Sequence, residues 1–480
     1  MSRAVAVVGA GWAGLAAALA LAEAGVPVTL FDAAPVAGGR ARSAPVEPPF
    51  GRTELDNGQH LIVGAYRETL ALIDRLGAAP LLRRSALQLQ SPSGFAMRAA
   101  PLPAPLHLGW ALARASGLGA RERLALLALM ARLRSAGWRT PAGETVSGLL
   151  VRLRQPPRLV ARLWAPLCIG ALNTMPEAAC AQAFAVVLRD TLGAGRKDAD
   201  FVTSDSPLGE LLPEPALRRL RQLGATLRLR SAVREIRRSP DGWSLRASGD
   251  DASGSIGASG SVGASGSIGA PGSVDPSGSI DVAAGTKDKS THSPAFAAVL
   301  LALPPWSAQR LLAPLGLDVA PLRAFEPEPI ATAWAFWPAD DAPALPLWSL
   351  LDEDPARGHY GQWLFDRGVI GKARVGGVVI SVASRTDALP AGALTDGIAG
   401  QLHEAFGDPR PTALRIVTER RATFRCVPGR PRLGIDHFER EAAGLWLAGD
   451  WLWPDYPATI EAAVRSGRQA GAAIASRFTD

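Results

Sequence analysis

Cysteine is scarce in this chain of 480 residues, and its scarcity excludes small cross-linked folds. The three cysteines, Cys168, Cys180 and Cys426, have no paired spacing along the sequence. A disulfide framework or a structural zinc site needs several cysteines, or cysteines and histidines, at short regular intervals. We therefore expect no metal, and this cysteine usage is typical of a reducing, cytoplasmic compartment.

Lysine is also scarce, and the arginines are scattered along the chain. The 51 basic residues include only four lysines, at 197, 287, 289 and 372, and the formal net charge is +7. Nucleic-acid-binding proteins usually concentrate basic residues in patches or tails. We expect no nucleic-acid partner, although a basic surface can also face anionic lipid.

Only one uncharged stretch approaches the length of a membrane span. Residues 4–22 carry no charge, but three glycines interrupt them. A buried strand, a tight turn and an Ala/Leu-rich helix explain this stretch better than a signal peptide or a membrane helix. Residues 28–31 then read as a second strand, which completes the opening βαβ unit of a doubly wound α/β fold.

A second Leu/Ala-rich region surrounds residues 121–134, where apolar side chains occupy nearly the whole circumference of a predicted helix. A helix that is apolar all round usually lies inside a protein core, and we expect that here. The alternative is a helix that dips into a bilayer or lines a lipid-sized tunnel.

Residues 248–290 form a low-complexity tract in which Ala-Ser-Gly-Ser-Ile/Val-Gly recurs. Such a composition buries too little apolar area to offset its ordering entropy, so the tract is predicted to be a disordered surface insert. Residues 232–237 and 243–247 before it read as paired strands, and residues 297–303 after it as a buried strand. Alternating apolar residues at 331–337, 362–365 and 375–383 predict an antiparallel sheet in a second domain.

The first glycine turn predicts a dinucleotide site. Gly9, Gly11 and Gly14 form G-x-G-x-x-G directly between the first strand and the first helix. The glycines permit a tight turn, close approach to a pyrophosphate and close helix–strand packing, while the helix N-terminus stabilises the phosphate charge. Asp32 closes the second strand, where its carboxylate can bind an adenosine ribose.

Two further segments favour FAD over NAD. Gly38, Gly39 and Arg40 form a second glycine turn with a cation that can pair with phosphate. Near the other end of the chain, Gly449 and Asp450 follow a strand, and residues 457–461 begin the final helix. A helix N-terminus aimed at the pyrimidine end of a flavin would stabilise the charge of the reduced ring.

These segments together resemble the flavin amine oxidase and carotenoid desaturase superfamily. Within it, the chain is most similar to the squalene-associated FAD-dependent desaturases, also called hydroxysqualene dehydroxylases. The most specific motifs are Asn57-Gly58-Gln59-His60 and Leu172-Asn173-Thr174. The resemblance also includes residues 64–66, 163–168, 362–366, 457–461 and 463–467, and it covers nearly the whole chain except the insert.

The resemblance implies an FAD-binding, Rossmann-like domain with a discontinuous α+β substrate domain, as in amine oxidases. The FAD domain would comprise residues 1–82, 205–312 and 415–480, and the substrate domain residues 83–204 and 313–414. Non-covalent FAD would be bound by the glycines and acids above and by Trp12, Ala13, Asn57, Gly58, Gln59, His60, Val233, Ala458, Thr459 and Ile460. A covalent flavin link through Cys426 is the weaker alternative to a buried, inert thiol.

The activity implied is reduction of hydroxysqualene to squalene in hopanoid precursor synthesis. Such a reaction needs a dry, aromatic pocket, for which Trp334, Phe336, Trp363 and Phe365 are the candidates, with core packing as their alternative role. His60 is the first candidate for the proton donor, followed by Tyr456 and Asp455. The expected partners are a C30 isoprenoid substrate, squalene-forming enzymes and the inner face of a membrane. Alternatives are a carotenoid-type desaturase, an amine oxidase, or a prenyl-binding escort protein without flavin chemistry.

Overall fold

A computed structural model describes residues 4–46, 53–248, 291–292 and 295–479. Most of the predicted low-complexity insert lies outside these ranges.

The strands are β1 (Val5–Val8), β2 (Val28–Phe31), β3 (Ser43–Val46), β4 (Thr53–Asp56), β5 (Ile62–Val63), β6 (Leu82–Ser85), β7 (Gln88–Gln90), β8 (Ala96–Arg98), β9 (Phe201–Ser204), β10 (Thr226–Arg228), β11 (Ala232–Ser239), β12 (Gly242–Ser248), β13 (Thr291–His292), β14 (Ala298–Leu301), β15 (Pro327–Pro338), β16 (Trp348–Leu350), β17 (Trp363–Ile370), β18 (Ala373–Ile380), β19 (Ala413–Phe424) and β20 (Leu445–Leu447).

The helices lie between and around these strands. They are α1 (Trp12–Glu23), α2 (Arg67–Arg75), α3 (Leu106–Arg114), α4 (Ala120–Ser135), α5 (Val146–Arg152), α6 (Pro157–Leu159), α7 (Ala165–Leu172), α8 (Ala181–Thr191), α9 (Leu208–Leu211), α10 (Pro213–Gln222), α11 (Pro305–Leu312), α12 (Ala320–Arg323), α13 (Ala393–Phe406) and α14 (Ile460–Thr479). Among the described residues, no helix is both long enough and apolar enough to span a membrane.

A parallel five-stranded sheet joins the two ends of the chain. Its order is β10-β2-β1-β14-β20, so β1 lies at the centre and the late strands β14 and β20 extend it on one side. β1 and β14 are buried along their whole length, because α1 and α14 cover one face of the sheet and the β11–β12 hairpin packs on the other, which leaves no position for polar alternation. The predicted doubly wound fold is confirmed.

Small residues let α14 pack directly on α1. A Cβ atom at Gly467 would overlap the carbonyl oxygen of Ala13, and one at Gly471 would lie 2.6 Å from that of Ala17. The alanines of α1 also have small side chains, which allow the two helices to approach closely. The final helix therefore lies against the helix that follows the first glycine turn, at a distance that larger side chains would prevent.

The second sheet is antiparallel, with the order β16-β17-β18-β15-β19. Side chains alternate across it: Ala331, Ala333 and Trp337 pack towards α13, whereas Trp334 and Phe336 face the opposite side. The predicted antiparallel sheet is confirmed, as are the β11–β12 hairpin and the buried strand β14. β19 runs across the predicted domain boundary at residues 414 and 415, whereas the domain division as a whole stays a prediction.

The expectation of a buried helix at residues 121–134 is wrong. Of the sixteen residues of α4, only Glu122, Leu129 and Leu133 are buried. Leu124 and Leu127 are 67% and 50% exposed. An apolar pattern around the whole circumference cannot distinguish a helix that protein encloses on every side from one that packs through a single narrow face. α4 packs through a single narrow face.

We predict that Gly467→Ala destabilises the protein because its methyl group would force α14 away from α1. Overpacking of this kind costs about 1–3 kcal/mol, more than the helix propensity of alanine returns. Thermal denaturation would measure the change. Gly109→Ala is the matched control, since a Cβ at this helical position meets no heavy atom within 4 Å, and it should be neutral or slightly stabilising. Equal melting temperatures for Gly467→Ala and the wild type would contradict the packing described.

Candidate flavin-binding and active site

The first glycine turn lies at the carboxyl end of β1. Gly9 has a φ of +109°, and a Cβ there would overlap the carbonyl oxygen of Ala302. A Cβ at Gly14 would overlap Gly9 itself. Gly11 is the N-cap of α1 and supplies no side chain, and no acidic residue lies in the first turn formed by Trp12 and Ala13. The backbone N–H groups of this helix end are therefore suited to a phosphate.

Asp32 lies at the carboxyl end of β2, next to this turn. Its carboxylate accepts hydrogen bonds from the backbone N–H of Ala10 at 2.6 Å and of Ala34 at 2.7 Å. It thus fixes the glycine turn and retains acceptor capacity for a ribose hydroxyl. The backbone N–H of Ser231 donates to the carbonyl oxygen of Asp32. This bond places the start of β11, which contains Val233, beside the predicted adenosine end of the site.

The second glycine turn contacts the first. Gly38 donates from its backbone N–H to the carbonyl of Ala10 at 2.9 Å, and an added Cβ at Gly39 would lie 3.1 Å from the α-carbon of Gly11. Both glycines have positive φ, which a residue with a side chain adopts only at a cost. The two predicted glycine turns therefore lie side by side and form one continuous backbone surface.

Arg40 links this turn to the end of the chain. Its guanidinium lies 2.7 Å from the Asp450 carboxylate and 2.8 Å from the carbonyl oxygen of Ala422 on β19. Asp450 is buried, whereas the Arg40 side chain is 30% exposed and keeps N–H groups for a further anion. Sequence reasoning assigned Arg40 to phosphate alone. The structure adds a second role, which is to hold Asp450 in place.

The segment after β20 closes the site from the other side. Gly449 donates its N–H to Ser466 Oγ at 2.9 Å. Thr459 caps α14, with its hydroxyl accepting from the backbone N–H of Ala462 at 3.1 Å. Ala458 packs against the larger hydrophobic core, and Ile460 begins the helix. The predicted C-terminal contributors therefore lie at one helix N-terminus, on the same end of the sheet as both glycine turns.

Glu461 positions that helix. Its fully buried carboxylate accepts from the backbone N–H groups of Glu68 and Thr69 and from the Thr69 hydroxyl, and it pairs with Arg465 at 2.7 Å. It therefore caps α2 from α14. The resemblance quoted Glu461 within a motif without giving it a role, and Ser466 had none either. The α2 partners of Glu461 lie 393 and 392 residues before it, and Gly449 lies 17 residues before Ser466; no local pattern reveals either contact.

The segment Asn57–His60 joins the flavin-binding turns to the second sheet. The backbone N–H of Gln59 donates to Thr332 Oγ1 on β15 at 3.2 Å, and the N–H of Asn57 donates to the carbonyl of Arg42. A Cβ at Gly58 would lie 3.6 Å from the same Thr332 hydroxyl. Thr332 was missed from the sequence, since only the folded sheet brings it to this segment.

Four predicted pocket residues lie on one face of the second sheet, the face opposite α13. Trp363 and Phe365 stack with ring centroids 6.1 Å apart and belong to the main core with Phe201 and Trp348. Trp334 and Phe336 pack nearby with Leu55, and Gly377 between β15 and β17 leaves room for the Trp334 ring. All four are at most 7% exposed, so this face is dry and aromatic.

The three candidate proton donors have different surroundings. His60 is half-buried, and its Nδ1 lies 2.7 Å from the carbonyl oxygen of Gly58. Removal from water lowers the pKa of His60, against the opposing effect of Asp56. Tyr456 donates its hydroxyl to Asp190 at 3.0 Å, and burial raises its pKa. Asp455 pairs with Arg432 at 2.6 Å.

Only His60 belongs to the segment that joins both sheets. A polar cavity of about 20 Å³ borders it, lined also by Asp56, Ser204 and Arg367, which is room for about one water molecule. Tyr456 packs instead with Val186 and Ala462, away from the aromatic face. Among the three, the geometry favours His60.

The cysteines do not form a reactive centre. Cys426 is buried, and burial raises its pKa to about 12, so the thiol stays protonated and unreactive at neutral pH. Cys168 is also buried, and burial raises its pKa as well. Across the described residues there is no group of three or more His, Cys, Asp or Glu side chains that could hold a metal ion.

The shape of the backbone at this site is by itself suited to FAD. Two glycine turns in contact, an uncapped helix N-terminus and a ribose-binding carboxylate are brought together at one end of a parallel sheet. Side chains at Gly9 and Gly14 would overlap the neighbouring backbone, whereas a Cβ at Gly11 would meet only the α-carbon of Gly39, at 3.9 Å, so open space remains beside the first turn. The fold and the site define a dinucleotide-binding flavoprotein, and FAD is its cofactor.

Comparison with known proteins agrees. Residues 12–255 match the family model described as flavin containing amine oxidoreductase, and the chain belongs to this family. It is an oxidoreductase of the flavin amine oxidase superfamily.

Among named relatives, hydroxysqualene dehydroxylases are similar to the chain over nearly its full length. Those of Rhodopseudomonas palustris and Sinorhizobium fredii are 29% and 28% identical, each over 98% of both chains. That of Zymomonas mobilis is 27% identical over 97% of both. Among solved structures, cyclohexylamine oxidase from Brevibacterium oxydans has a TM-score of 0.64 at 17% identity, with both chains fully covered. A putative protoporphyrinogen oxidase from Exiguobacterium also has a TM-score of 0.64 at 17% identity, with 99% of each chain covered.

We predict that Asp32→Ala weakens FAD binding. Hydrogen bonds to a charged group contribute about 1.5–3 kcal/mol each, so the affinity should fall by roughly ten- to a hundredfold. Flavin absorbance after gel filtration measures the loss. Asp74→Ala, which removes an exposed carboxylate on α2, is the matched control and should retain its flavin. Equal flavin contents of the two variants would show that Asp32 does not contribute to FAD binding.

We further predict that His60 makes the protein less stable in mild acid. Its pKa in the folded protein lies below the ordinary 6.5, so the unfolded chain takes up a proton first as the pH falls. The stability associated with the neutral ring is therefore lost below about pH 6.5. His60→Gln should reduce the decline of the melting temperature between about pH 7 and pH 5.

The decline should not vanish in that variant, because burial also lowers the pKa of His107. A His60→Gln profile as steep as that of the wild type would show that His60 does not resist protonation.

Proposed function

We propose that this protein is a hydroxysqualene dehydroxylase, which reduces hydroxysqualene to squalene in squalene and hopanoid biosynthesis. The observation that carries the proposal is the buried aromatic face of the second sheet, joined to the flavin-binding turns through Gln59 and Thr332. Relatives of that name, similar over 97–98% of both chains, support it.

The reaction removes an allylic hydroxyl group and places hydride on the same carbon. Reduced FAD supplies that hydride when it is bound. Ionisation of the C–O bond leaves a delocalised allylic cation, which the π faces of Trp363, Phe365 and Trp334 would stabilise by about 0.5–2 kcal/mol each. Their burial also keeps water away from the cation, which prevents its recapture by the solvent.

His60 is the proposed donor of the proton that the departing hydroxyl needs. Its Nδ1 faces the Gly58 carbonyl, so Nε2 is the atom free to exchange a proton with the substrate. In the neutral ring the single proton lies at Nδ1, so the proposed donor is the imidazolium form, whose Nε2 proton is more acidic because burial lowers the pKa of His60. Tyr456 and Asp455 remain weaker candidates, since each is bound to a partner outside the aromatic face.

The substrate is a hydrophobic C30 isoprenoid, which the residues 83–204 and 313–414 would bind as a separate domain. Such a molecule is nearly insoluble in water and reaches an enzyme through a membrane or by transfer from another protein. We therefore propose a cytoplasmic protein at the inner face of a membrane, with transient contact to squalene-forming enzymes.

A product assay tests this function. Anaerobic protein with photoreduced FAD should convert hydroxysqualene to squalene, detected by gas chromatography. Consumption of phytoene or of an amine, with hydroxysqualene left intact, would favour a carotenoid-type desaturase or an amine oxidase instead. Purified protein without flavin absorbance would favour a prenyl-binding escort protein.

Two tryptophans on opposite faces of the second sheet provide a matched pair. We predict that Trp363→Leu lowers kcat/KM by roughly tenfold or more, as expected from the loss of one cation–π contact of about 2 kcal/mol in a desolvated site. Trp337 lies on the α13 side, so Trp337→Leu should lower stability but leave the rate per bound flavin unchanged. Equal rate losses in both variants would assign these residues to packing alone.

A further inference from the structure

Residues 83–143 carry an unusual balance of charge. The chain as a whole is +7, but this segment alone combines nine basic residues with a single acidic one, Glu122. The basic residues are Arg83, Arg84, Arg98, Arg114, Arg121, Arg123, Arg132, Arg134 and Arg139. Glu122 is itself buried and accepts from the backbone N–H of Gly119. Arg83 and Arg84 pair with Asp205 and Asp200, but among the described residues no carboxylate forms an ion pair with Arg114, Arg121, Arg132 or Arg134, so the surface of α3 and α4 has a positive potential.

The same segment exposes apolar side chains. Of the ten most exposed large apolar residues in the described part of the chain, five lie within it: Leu102, Leu106, Trp110, Leu124 and Leu127. Single exposed apolar residues are normal on a protein surface, but a concentration of them marks an interaction site. Exposed apolar groups and unopposed positive charge therefore occur together.

On α4 the apolar residues form a stripe that faces the solvent. Leu124, Leu127, Ala128 and Ala131 are all exposed at i, i+3, i+4 and i+7 spacing. Arg121 and Arg132 lie on one side of this stripe, and Arg134 lies on the other. A helix that lies in a membrane interface has this arrangement, in which arginines extend to the headgroups while apolar residues enter the acyl region.

α3 presents a similar stripe. Leu106, Trp110 and Ala113 are exposed on successive turns, and the Arg114 guanidinium lies 4.9 Å from the centre of the Trp110 ring. Arg123 of α4 donates to the carbonyl oxygens of Ala113 at 2.7 Å and Ala115 at 2.6 Å. This arginine fixes the start of α4 to the end of α3, so the two stripes are held as neighbours.

A groove of about 610 Å³ opens beside α3. Arg98, Arg114 and Arg196 line it together with Pro101 and Trp110, and no carboxylate does. A groove with three guanidinium groups and an apolar wall is suited to an amphiphilic anion. A phospholipid headgroup is such an anion, and a membrane presents many of them to one surface at once.

We propose that the exposed surface of α3 and α4, with the arginine-lined groove, docks this protein on an anionic phospholipid bilayer. The apolar stripes enter the interface, and the groove takes a lipid phosphate. The assignment deepens the membrane contact given under the proposed function and rests on it, but it does not depend on which substrate is reduced. A bilayer fits better than a protein partner, because arginines border the apolar stripe of α4 on both sides.

Co-sedimentation with phospholipid vesicles tests the assignment. The flavin-loaded protein should sediment with vesicles of phosphatidylcholine and phosphatidylglycerol, and much less with phosphatidylcholine alone. Leu124→Glu/Leu127→Glu should weaken partition by about tenfold or more, because two leucines no longer enter the interface. Arg121→Gln/Arg132→Gln should weaken it by about fivefold per arginine and remove part of the salt dependence. Val369→Glu, at an exposed apolar residue outside the segment, should bind as the wild type does.

Each outcome decides the assignment. Wild-type protein that stays in the supernatant with anionic vesicles overturns it, as does equal partition of Leu124→Glu/Leu127→Glu and the wild type. A shift of the melting temperature by inorganic diphosphate without vesicle binding would assign the groove to a soluble ligand and overturn docking. All variants should keep their flavin and reduce detergent-dispersed substrate at the wild-type rate. A failure of that reduction in every protein, with vesicle binding intact, would reject the proposed reaction but retain the docking surface.

Discussion

The contact between the first and last helices constrains the rest of the molecule. α14 packs on α1 through Gly467 and Gly471, so closely that the backbone of α1 occupies the space of missing side chains. This contact brings residues 449–461 to the glycine turns, and the Arg40–Asp450 ion pair joins the two ends a second time. The flavin site exists only because these distant segments meet.

A smaller junction connects the flavin-binding turns to the aromatic face of the second sheet. The backbone N–H of Gln59 donates to Thr332, whose strand carries Trp334 and Phe336 on the same face. This hydrogen bond, the bond from Arg40 to Ala422 on β19 and the packing of Leu55 on Trp334 and Phe336 together position the aromatic face relative to the glycine turns.

Sequence alone predicts the features whose cause is local. The glycine turn after β1, Asp32 at the end of β2 and the alternating strands of the second sheet all follow from spacing within a few residues. Features that depend on distant partners do not. The partner of Arg40, the capping of α2 by Glu461 and the role of Thr332 each require the folded arrangement. The exposure of α4 was predicted wrongly, since a helix that is apolar all round fits a lipid interface as well as a protein core.

The strand order has a consequence for the newly synthesised chain. β1 is the central strand of the parallel sheet, but one of its neighbours, β14, is made only after most of the protein, and β20 only near the end. Until then β1 presents unpaired N–H and C=O groups along one buried edge, a surface that invites pairing with other chains. The parallel sheet is therefore complete only after β14 and β20 have been synthesised, and the flavin site is complete only when Asp450 reaches Arg40.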